Sequence, residues 1–252
     1  MTPVQLPLPP ESLRVWVGPF SDPHLFERSG DEMAQSIVRL CRLSPGSRIL
    51  EVGCGCGRLA RALASYLGPA GSYEGFDIVH ALVDWCKRHL ESPLPNFRFS
   101  LADIQAPGYN PAGVVAASAY RFPFAAGEFD AAVVSSVFTH MLAGEIENYI
   151  TQLGRVLKPG AHMFITVLLF DEEAMRAVAQ NATAFHFRHP VGPCMTFDRN
   201  CPREGIACPE AWLIDVLRHN GFGIGSIQRG NWRQLRSCEV SHDIVVARRD
   251  KG

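Results

Sequence analysis

Long apolar runs are missing from this chain. The best of them, residues 163–170, is strand-length and falls short of the roughly 18 residues that would span a membrane. An excess of charge is missing too: 24 Lys and Arg face 25 Asp and Glu, a formal net charge of −1 with histidines neutral. The phosphate neutralisation on which avid nucleic-acid binding rests therefore has no source. The eight cysteines lack framework spacing, and the N-terminus lacks a basic region and carries four prolines in its first ten residues, so it does not read as a signal peptide. These absences predict reduced thiols and a cytoplasmic protein with neither nucleic acid nor membrane as partner. What is present is core material. Hydrophobic residues make up 47% of the 252 and charged residues 19%, which excludes disorder of the whole chain.

The middle of the chain alternates short apolar runs with helical periodicity, the pattern of a parallel α/β sheet. Strands are expected at 48–52, 72–77, 97–101, 129–135 and 163–169, and helices at 30–42, 58–67, 80–90 and 145–157. Ser44-Pro45-Gly46, Gly68, Pro93 with Pro95, and Lys158-Pro159-Gly160 supply the helix stops. A helix at 209–219 and strands at 223–228 and 242–248 complete seven strands in one doubly wound domain, 29–252. Residues 1–28, proline-rich and then aromatic at Trp16, Phe20 and Phe26, form a preface that acts as a lid or covers the sheet edge. Residues 171–207, where the pattern loosens, read as a small cap insertion of mixed helix and loop.

Glu51-Val52-Gly53-Cys54-Gly55-Cys56-Gly57 lies between a strand and a helix N-terminus. Glycines there permit a tight turn and let a ligand approach the backbone. Nicotinamide and flavin proteins carry G-x-G-x-x-G at the same point, but the spacing here is G-x-G-x-G, with Arg58 where that pattern wants Gly or Ala. Glu51, as a carboxylate, would repel a pyrophosphate and favour a ligand bearing ammonium and sulfonium charges, as S-adenosylmethionine does. Asp77, twenty residues past Gly57, suits a ribose diol. Cys54 and Cys56 fill small-residue slots and are expected to meet thiol reagents unless a cofactor protects them.

Taken in order, ILEVGCGCG, GFDI, LADI, FPFAAGEFDAAVVSSVFTHM and GRVLKPGAHMFIT, spread over about residues 30–170, resemble the class I S-adenosylmethionine-dependent methyltransferases. The resemblance implies a seven-stranded, mostly parallel sheet ordered 3-2-1-4-5-7-6, the last strand antiparallel, with helices on both faces. It implies that Glu51, Gly53 and Gly55 line the methionine half of the cofactor, and that Asp77 binds the ribose hydroxyls with Ile78 against the adenine. Asp103 would sit near the adenine amino group beside Ala102 and Ile104, and Ser135 near the methionyl part. S-adenosylhomocysteine would be the product. The resemblance is nearly silent on the acceptor. Its one departure is the long connection after Asp103, which either disturbs the adenine-side contacts or builds part of a substrate wall.

An oxygen acceptor benefits from a base, and His140, just past the fourth strand, is the catalytic candidate; a histidine making only local helix-start hydrogen bonds is the alternative. His186 and His189 in Phe185-His186-Phe187-Arg188-His189, and Asp171 past the fifth strand, are lesser candidates, weighed against packing of the cap. Cys194, Cys201 and Cys208 recur every seven residues without the C-x-x-C pairs of zinc sites, so no metal is expected. The other histidines, His242 among them, give no reason to prefer function over structure.

The resulting reading is an S-adenosylmethionine-dependent methyltransferase acting on a small molecule, at oxygen of a sugar, phenol or natural-product scaffold. Ser-Ser-Val-Phe-Thr-His-Met at 135–141 lacks the [ND]-P-P-[YF] sequence associated with base and glutamine amino methylation. The alternatives are N-methylation of a small molecule, or a non-catalytic S-adenosylmethionine-binding sensor or partner protein. Glu51 and the glycine spacing disfavour a nicotinamide oxidoreductase. No residue pattern bears on the oligomeric state.

Overall fold

The computed structural model describes residues 6–234 and 241–250; the first five residues of the preface, and Cys238, lie outside them. The chain forms two compact units, residues 1–116 with 128–133, and 117–127 with 134–252.

The first unit opens with α1 (Glu11–Arg14), a 3-10 turn (Val15–Val17) and α2 (Pro23–Leu40). The expected start of this helix at residue 30 is corrected to Pro23: the Asp22 side chain accepts from the His24 backbone N–H, and Pro23 sits where a missing N–H costs nothing. The preface is therefore ordered chain. Arg14, itself buried, donates to the carbonyls of Pro9, Phe20 and Ser21 and ties its ends together. Leu8, Leu13, Val17 and Phe20 then pack on Phe26, Cys56 and Leu82.

Three strands follow with the bounds the sequence predicts: β1 (Arg48–Val52), β2 (Ser72–Asp77) and β3 (Phe97–Leu101), with α3 (Arg58–Leu63) and α4 (His80–Cys86) between them. β2 runs parallel to β1 and to β3. Helix α3 ends before the predicted residue 67, because the backbone tightens there and Tyr66 donates to Leu63 only three residues back. Helix α4 widens into a π turn, Lys87–Glu91, which leaves Leu90 fully buried and lets a Glu91 carboxylate oxygen accept from the Phe99 N–H at 2.7 Å. The long connection after Asp103 closes through a short parallel pair, β4 (Ile104–Gln105) with β5 (Val115–Ala116). With β6 (Phe129–Val134), the order in this unit is β3-β2-β1-β6.

The second unit contains α5 (Ala143–Val156), β7 (Leu157–Phe170), α6 (Glu172–Ala179), β8 (His189–Val191), β9 (Cys194–Thr196), β10 (Ile206–Pro209), α7 (Glu210–His219), β11 (Phe222–Gln228) and β12 (Asp243–Arg249). β12 lies antiparallel on β7, and β11 antiparallel on β12. This is the order implied for the last three strands, and the chain has the Rossmann-like α/β fold. Lys158-Pro159-Gly160 does not follow the helix as a loop; it is absorbed into β7, with Gly160 at φ +82°. The cap differs from expectation. It contains the hairpin β8–β9 and strand β10, which pairs antiparallel with β9 and parallel with the end of β7. Strands of three and four residues broken by Pro190 and Gly192 are too short to show an alternation. Asp243, fully buried, seats the closing strand by accepting from the Leu169 and Gly230 N–H groups and from the Trp232 indole. Among the described residues no helix is long and apolar enough to cross a membrane.

Candidate functional site

The glycine turn is shaped by its backbone. Gly53, Gly55 and Gly57 have φ of +74°, +54° and +80°, a region open to glycine at little cost. A Cβ on Gly55 would lie 2.4 Å from a Val17 methyl group, so the preface closes directly over the turn and leaves no room for a side chain. One Asp77 carboxylate oxygen accepts from the Gly55 N–H at 2.8 Å and the other from the Val79 N–H at 2.9 Å. The carboxyl at the end of β2 thus holds the turn that precedes α3. Burial raises its pKa above the ordinary aspartate value, against the pull of the Val79, Gly55 and Ile78 N–H groups.

Glu51 is buried, 4% exposed, and accepts from the Tyr73 hydroxyl. Burial pushes its pKa up to about 8, outweighing the Tyr73 hydrogen bond and the Arg58 charge. The expectation of an anionic Glu51 at the mouth is therefore revised. In the chain without ligand this carboxyl holds a proton at neutral pH, and a cation would have to draw the proton off. Cys54 and Cys56 are buried as well, with thiols raised far from reactivity by desolvation, Cys56 to about 12. Their expected accessibility to thiol reagents is corrected accordingly.

The adenine-side candidates gather at the ends of β2 and β3. Ala102 donates to the Asp77 carbonyl at 2.9 Å; Ala102 and Ile104 are buried, Asp103 is exposed and Ile78 half-buried. The connection beyond Asp103 brings Tyr109 to Trp16 of the preface, with ring centroids 6.2 Å apart. These residues offer what an adenosyl and amino-acid ligand requires: a glycine-rich turn, a carboxylate at a strand end, and apolar and aromatic groups beside it.

Ser135 and His140 belong to the second unit. Ser136, at φ +57°, is a strained non-glycine residue two positions past the end of β6, next to Ser135. Its N–H donates to Thr166 Oγ1 at 2.7 Å, and its hydroxyl shares a 3.3 Å hydrogen bond with His242 Nδ1. His140 Nδ1 lies 2.8 Å from the Arg203 carbonyl oxygen. A carbonyl only accepts, so Nδ1 carries the proton and Nε2 of the neutral ring carries the basic lone pair. Arg203 is fixed in turn by two hydrogen bonds to Glu145, 2.5 and 2.8 Å, and Glu145 also accepts from the Leu142 N–H at the start of α5. His140 is thus anchored far beyond local helix-start bonds. Burial and the neighbouring His140 hold the His242 imidazole below the ordinary histidine value, against Asp243. His242 is the residue missed by sequence reasoning, since only the pairing of β12 with β7 brings it here.

The lesser candidates take structural places. Asp171 caps α6 through the Ala174 N–H and receives two hydrogen bonds from Arg233, 2.7 and 2.8 Å. Although burial works the other way, these donors hold its pKa below the ordinary value. Phe185 and Phe187 turn into a cluster with Phe197 and Trp232, which leaves His186 exposed and His189 half-buried. The aromatic run of the cap is therefore its core, not a platform for a flat substrate. Of the three evenly spaced cysteines, Cys194 and Cys208 meet, with sulfurs 3.7 Å apart, while Cys201 is exposed. Among the described residues no group of three or more His, Cys, Asp or Glu is placed to hold a metal ion.

Comparison with known proteins agrees with this geometry. The family described as "Methyltransferase domain" matches residues 25–199. An O-methyltransferase of Pyrenophora dematioidea is 24% identical over 159 residues, 62% of this chain and 52% of that protein. A 2-phytyl-1,4-naphtoquinone methyltransferase of Synechocystis sp. is 29% identical over 156 residues, 62% of this chain and 58% of that protein. This chain therefore matches little more than half the length of either relative. The structure of a 1,6-didemethyltoxoflavin-N1-methyltransferase from Burkholderia thailandensis, solved with S-adenosylhomocysteine bound, superposes with a TM-score of 0.57 at 16% identity, over 98% of this chain and 94% of that one. Turn, strand order and family match converge: the chain belongs to the methyltransferase-domain family of class I S-adenosylmethionine-dependent enzymes.

Proposed function

We propose that the protein transfers a methyl group from S-adenosylmethionine to a hydroxyl oxygen of a small molecule such as a sugar, a phenol or a natural-product scaffold. The observation that carries the oxygen assignment is the His140 Nδ1 hydrogen bond to the Arg203 carbonyl, which sets Nε2 as a proton acceptor at a fixed orientation. The O-methyltransferase relative supports the same acceptor atom. When bound, the cofactor would supply an electrophilic methyl group on a sulfonium, with S-adenosylhomocysteine as the product. The chain contributes position and proton removal. Gly53 and Gly55, with the Glu51 carboxyl beneath, accept the methionyl portion, and Asp77 holds the turn and takes the ribose hydroxyls. Ile78, Ala102, Asp103 and Ile104 border the adenine, and Ser135 lies by the methionyl end. His140 Nε2 would take the acceptor proton as the oxygen reacts, and the imidazolium would stay bonded to the Arg203 carbonyl. In this reading residues 1–28 cover the cofactor and residues 171–207 hold the acceptor-side histidine in place.

Calorimetric titration with S-adenosylmethionine, S-adenosylhomocysteine and NADH tests the cofactor assignment. Binding of the two sulfur ligands alone is expected, and binding of NADH alone would reject it. Methyl-labelled cofactor with a panel of phenols, sugars, amines and quinones then tests the atom. Label appearing only on nitrogen or carbon would reject the oxygen assignment and leave the transferase in place.

A further inference from the structure

The β9–β10 hairpin carries a feature that methyl transfer does not use. Its ladder pairs Ile206 with Thr196 and Ala207 with Met195. Continuing that register by one residue would bring Cys208 across from Cys194, in keeping with their sulfur contact. Both thiols are buried, at 0% and 1% exposure, and the Cys194 thiol donates to the Cys208 sulfur at 3.7 Å. Directly opposed residues on antiparallel strands have Cα atoms about 4.5–5.5 Å apart, inside the range of about 4.4–6.8 Å that a disulfide bridges. The sulfur gap of 3.7 Å must close to roughly 2.05 Å for a bond to form. The thiols near the glycine turn differ: Cys54 of the turn and Cys86 at the end of α4 both donate to the Gly55 carbonyl oxygen.

The location gives the pair a consequence. The segment joining the two strands, residues 197–205, carries Arg203, whose carbonyl holds His140 and whose guanidinium holds Glu145. The segment is bound to its own hairpin through Thr196 Oγ1, which meets the Asp198 and Pro202 carbonyls at 3.2 and 3.1 Å. We propose that Cys194 and Cys208 form a dithiol that a hydroperoxide oxidises to a cross-strand disulfide, clamping the hairpin that presents Arg203 to His140.

The chemistry balances with hydrogen peroxide as the two-electron oxidant. One sulfur attacks a peroxide oxygen, the O–O bond breaks, and a sulfenic acid forms with release of water. The second sulfur attacks the sulfenic sulfur, the S–S bond forms, and a second water leaves carrying the remaining proton. The sulfur pair gives up two electrons and the peroxide takes them. The Cys194 hydrogen bond and burial raise the Cys208 thiol as burial raises Cys54 and Cys56, so the reaction is slow beside the modification of exposed Cys201 and needs prolonged exposure to peroxide.

The test needs neither cofactor nor acceptor, so its outcome is separate from that of the methyl-transfer reading. The reduced full chain is incubated with hydrogen peroxide, unfolded in N-ethylmaleimide, and digested with trypsin without reductant. Cleavage after Arg188, Arg199, Arg203 and Arg218 puts the three cysteines on different peptides, 189–199, 200–203 and 204–218. The expected product is a link between 189–199 and 204–218, two hydrogens lighter and reversed by dithiothreitol. It forms equally in Cys201→Ser and is absent in Cys208→Ser. Amide exchange over 197–205 is expected to slow at least tenfold on oxidation, with exchange over 48–57 unchanged. Cys194 and Cys208 both recovered as maleimide adducts after exhaustive oxidation, or a link running through 200–203, would overturn the proposal. A disulfide without slowed exchange would overturn the clamp.

Discussion

The cofactor turn and the His140 cluster are held by contacts of different reach. Asp77 meets Gly55, and Glu51 meets Tyr73, across 22 positions of the chain. In the second unit His140 meets Arg203 across 63, Glu145 meets Arg203 across 58, and Ser136 meets His242 across 106. The turn is a matter of backbone shape with one carboxylate as its fastener. The cluster is made of side chains, each oriented by a residue from a distant element. A backbone-shaped site can be encoded as a short motif, whereas a side-chain site exists only once the intervening chain is folded.

That difference explains what was legible beforehand. Glu51 to Gly57 could be named from the sequence because this stretch runs out of a buried strand and carries the glycine spacing, Asp77 because it stands twenty residues past Gly57 at the end of a strand, and Ala102 to Ile104 only through the family resemblance. β1, β2 and β3 begin and end where the sequence places them. His140 could be named, but its anchor could not, because Arg203 sits in a loop between strands too short to leave a pattern. His242 and Asp243 gave no local signal; their places follow from the register of β12 on β7, in which Asp243 opposes Val167. Burial was the other hidden quantity. Glu51 reads from the sequence as an anion at the mouth of the turn and proves to be a buried carboxyl bonded to Tyr73.

Mutations can break or sharpen the contrast. The largest effect is expected from His140→Ala, which should lower turnover by about 10²–10⁴-fold, the usual contribution of a positioned base, while calorimetry shows cofactor affinity unchanged. An equal loss of affinity would mean that the two regions are not functionally separable. Gly55→Val combines a contact with Val17 and an unfavourable φ. It should raise the dissociation constant for S-adenosylhomocysteine at least about a hundredfold, near 3 kcal/mol. Asp77→Ala frees the Gly55 and Val79 N–H groups and should weaken binding by about 1.5–3 kcal/mol; affinity equal to wild type would show that the turn holds itself.

Glu51 yields a smaller, pH-dependent effect. Its pKa of about 8 stands above the ordinary 4.5, so the folded chain keeps a proton that the unfolded chain has lost. The associated stability is complete below pH 4.5 and falls by about 1.4 kcal/mol per pH unit as pH rises toward 8, then levels off. Denaturant midpoints across that window should show the slope in the wild type and lose it in Glu51→Gln. The smallest effect belongs to Glu145→Gln, which weakens a partly exposed ion pair worth up to about 1 kcal/mol. A few-fold fall in turnover with unchanged cofactor binding would confirm that Arg203 acts on His140 through position. No fall at all would mean the loop needs no such tether.

Asp77 also bears on how quickly a ligand can be taken up. Fixing one residue's backbone costs about 1–2 kcal/mol, and here that cost is met during folding, because one Asp77 carboxylate oxygen already holds the turn at Gly55 while the other holds Val79 at the start of α4. An arriving molecule gives up its own freedom and none of the turn's. The turn itself should then add no ordering step to the encounter, and the rate of uptake should be set by how readily Val17 of the preface, which lies against Gly55, gives way.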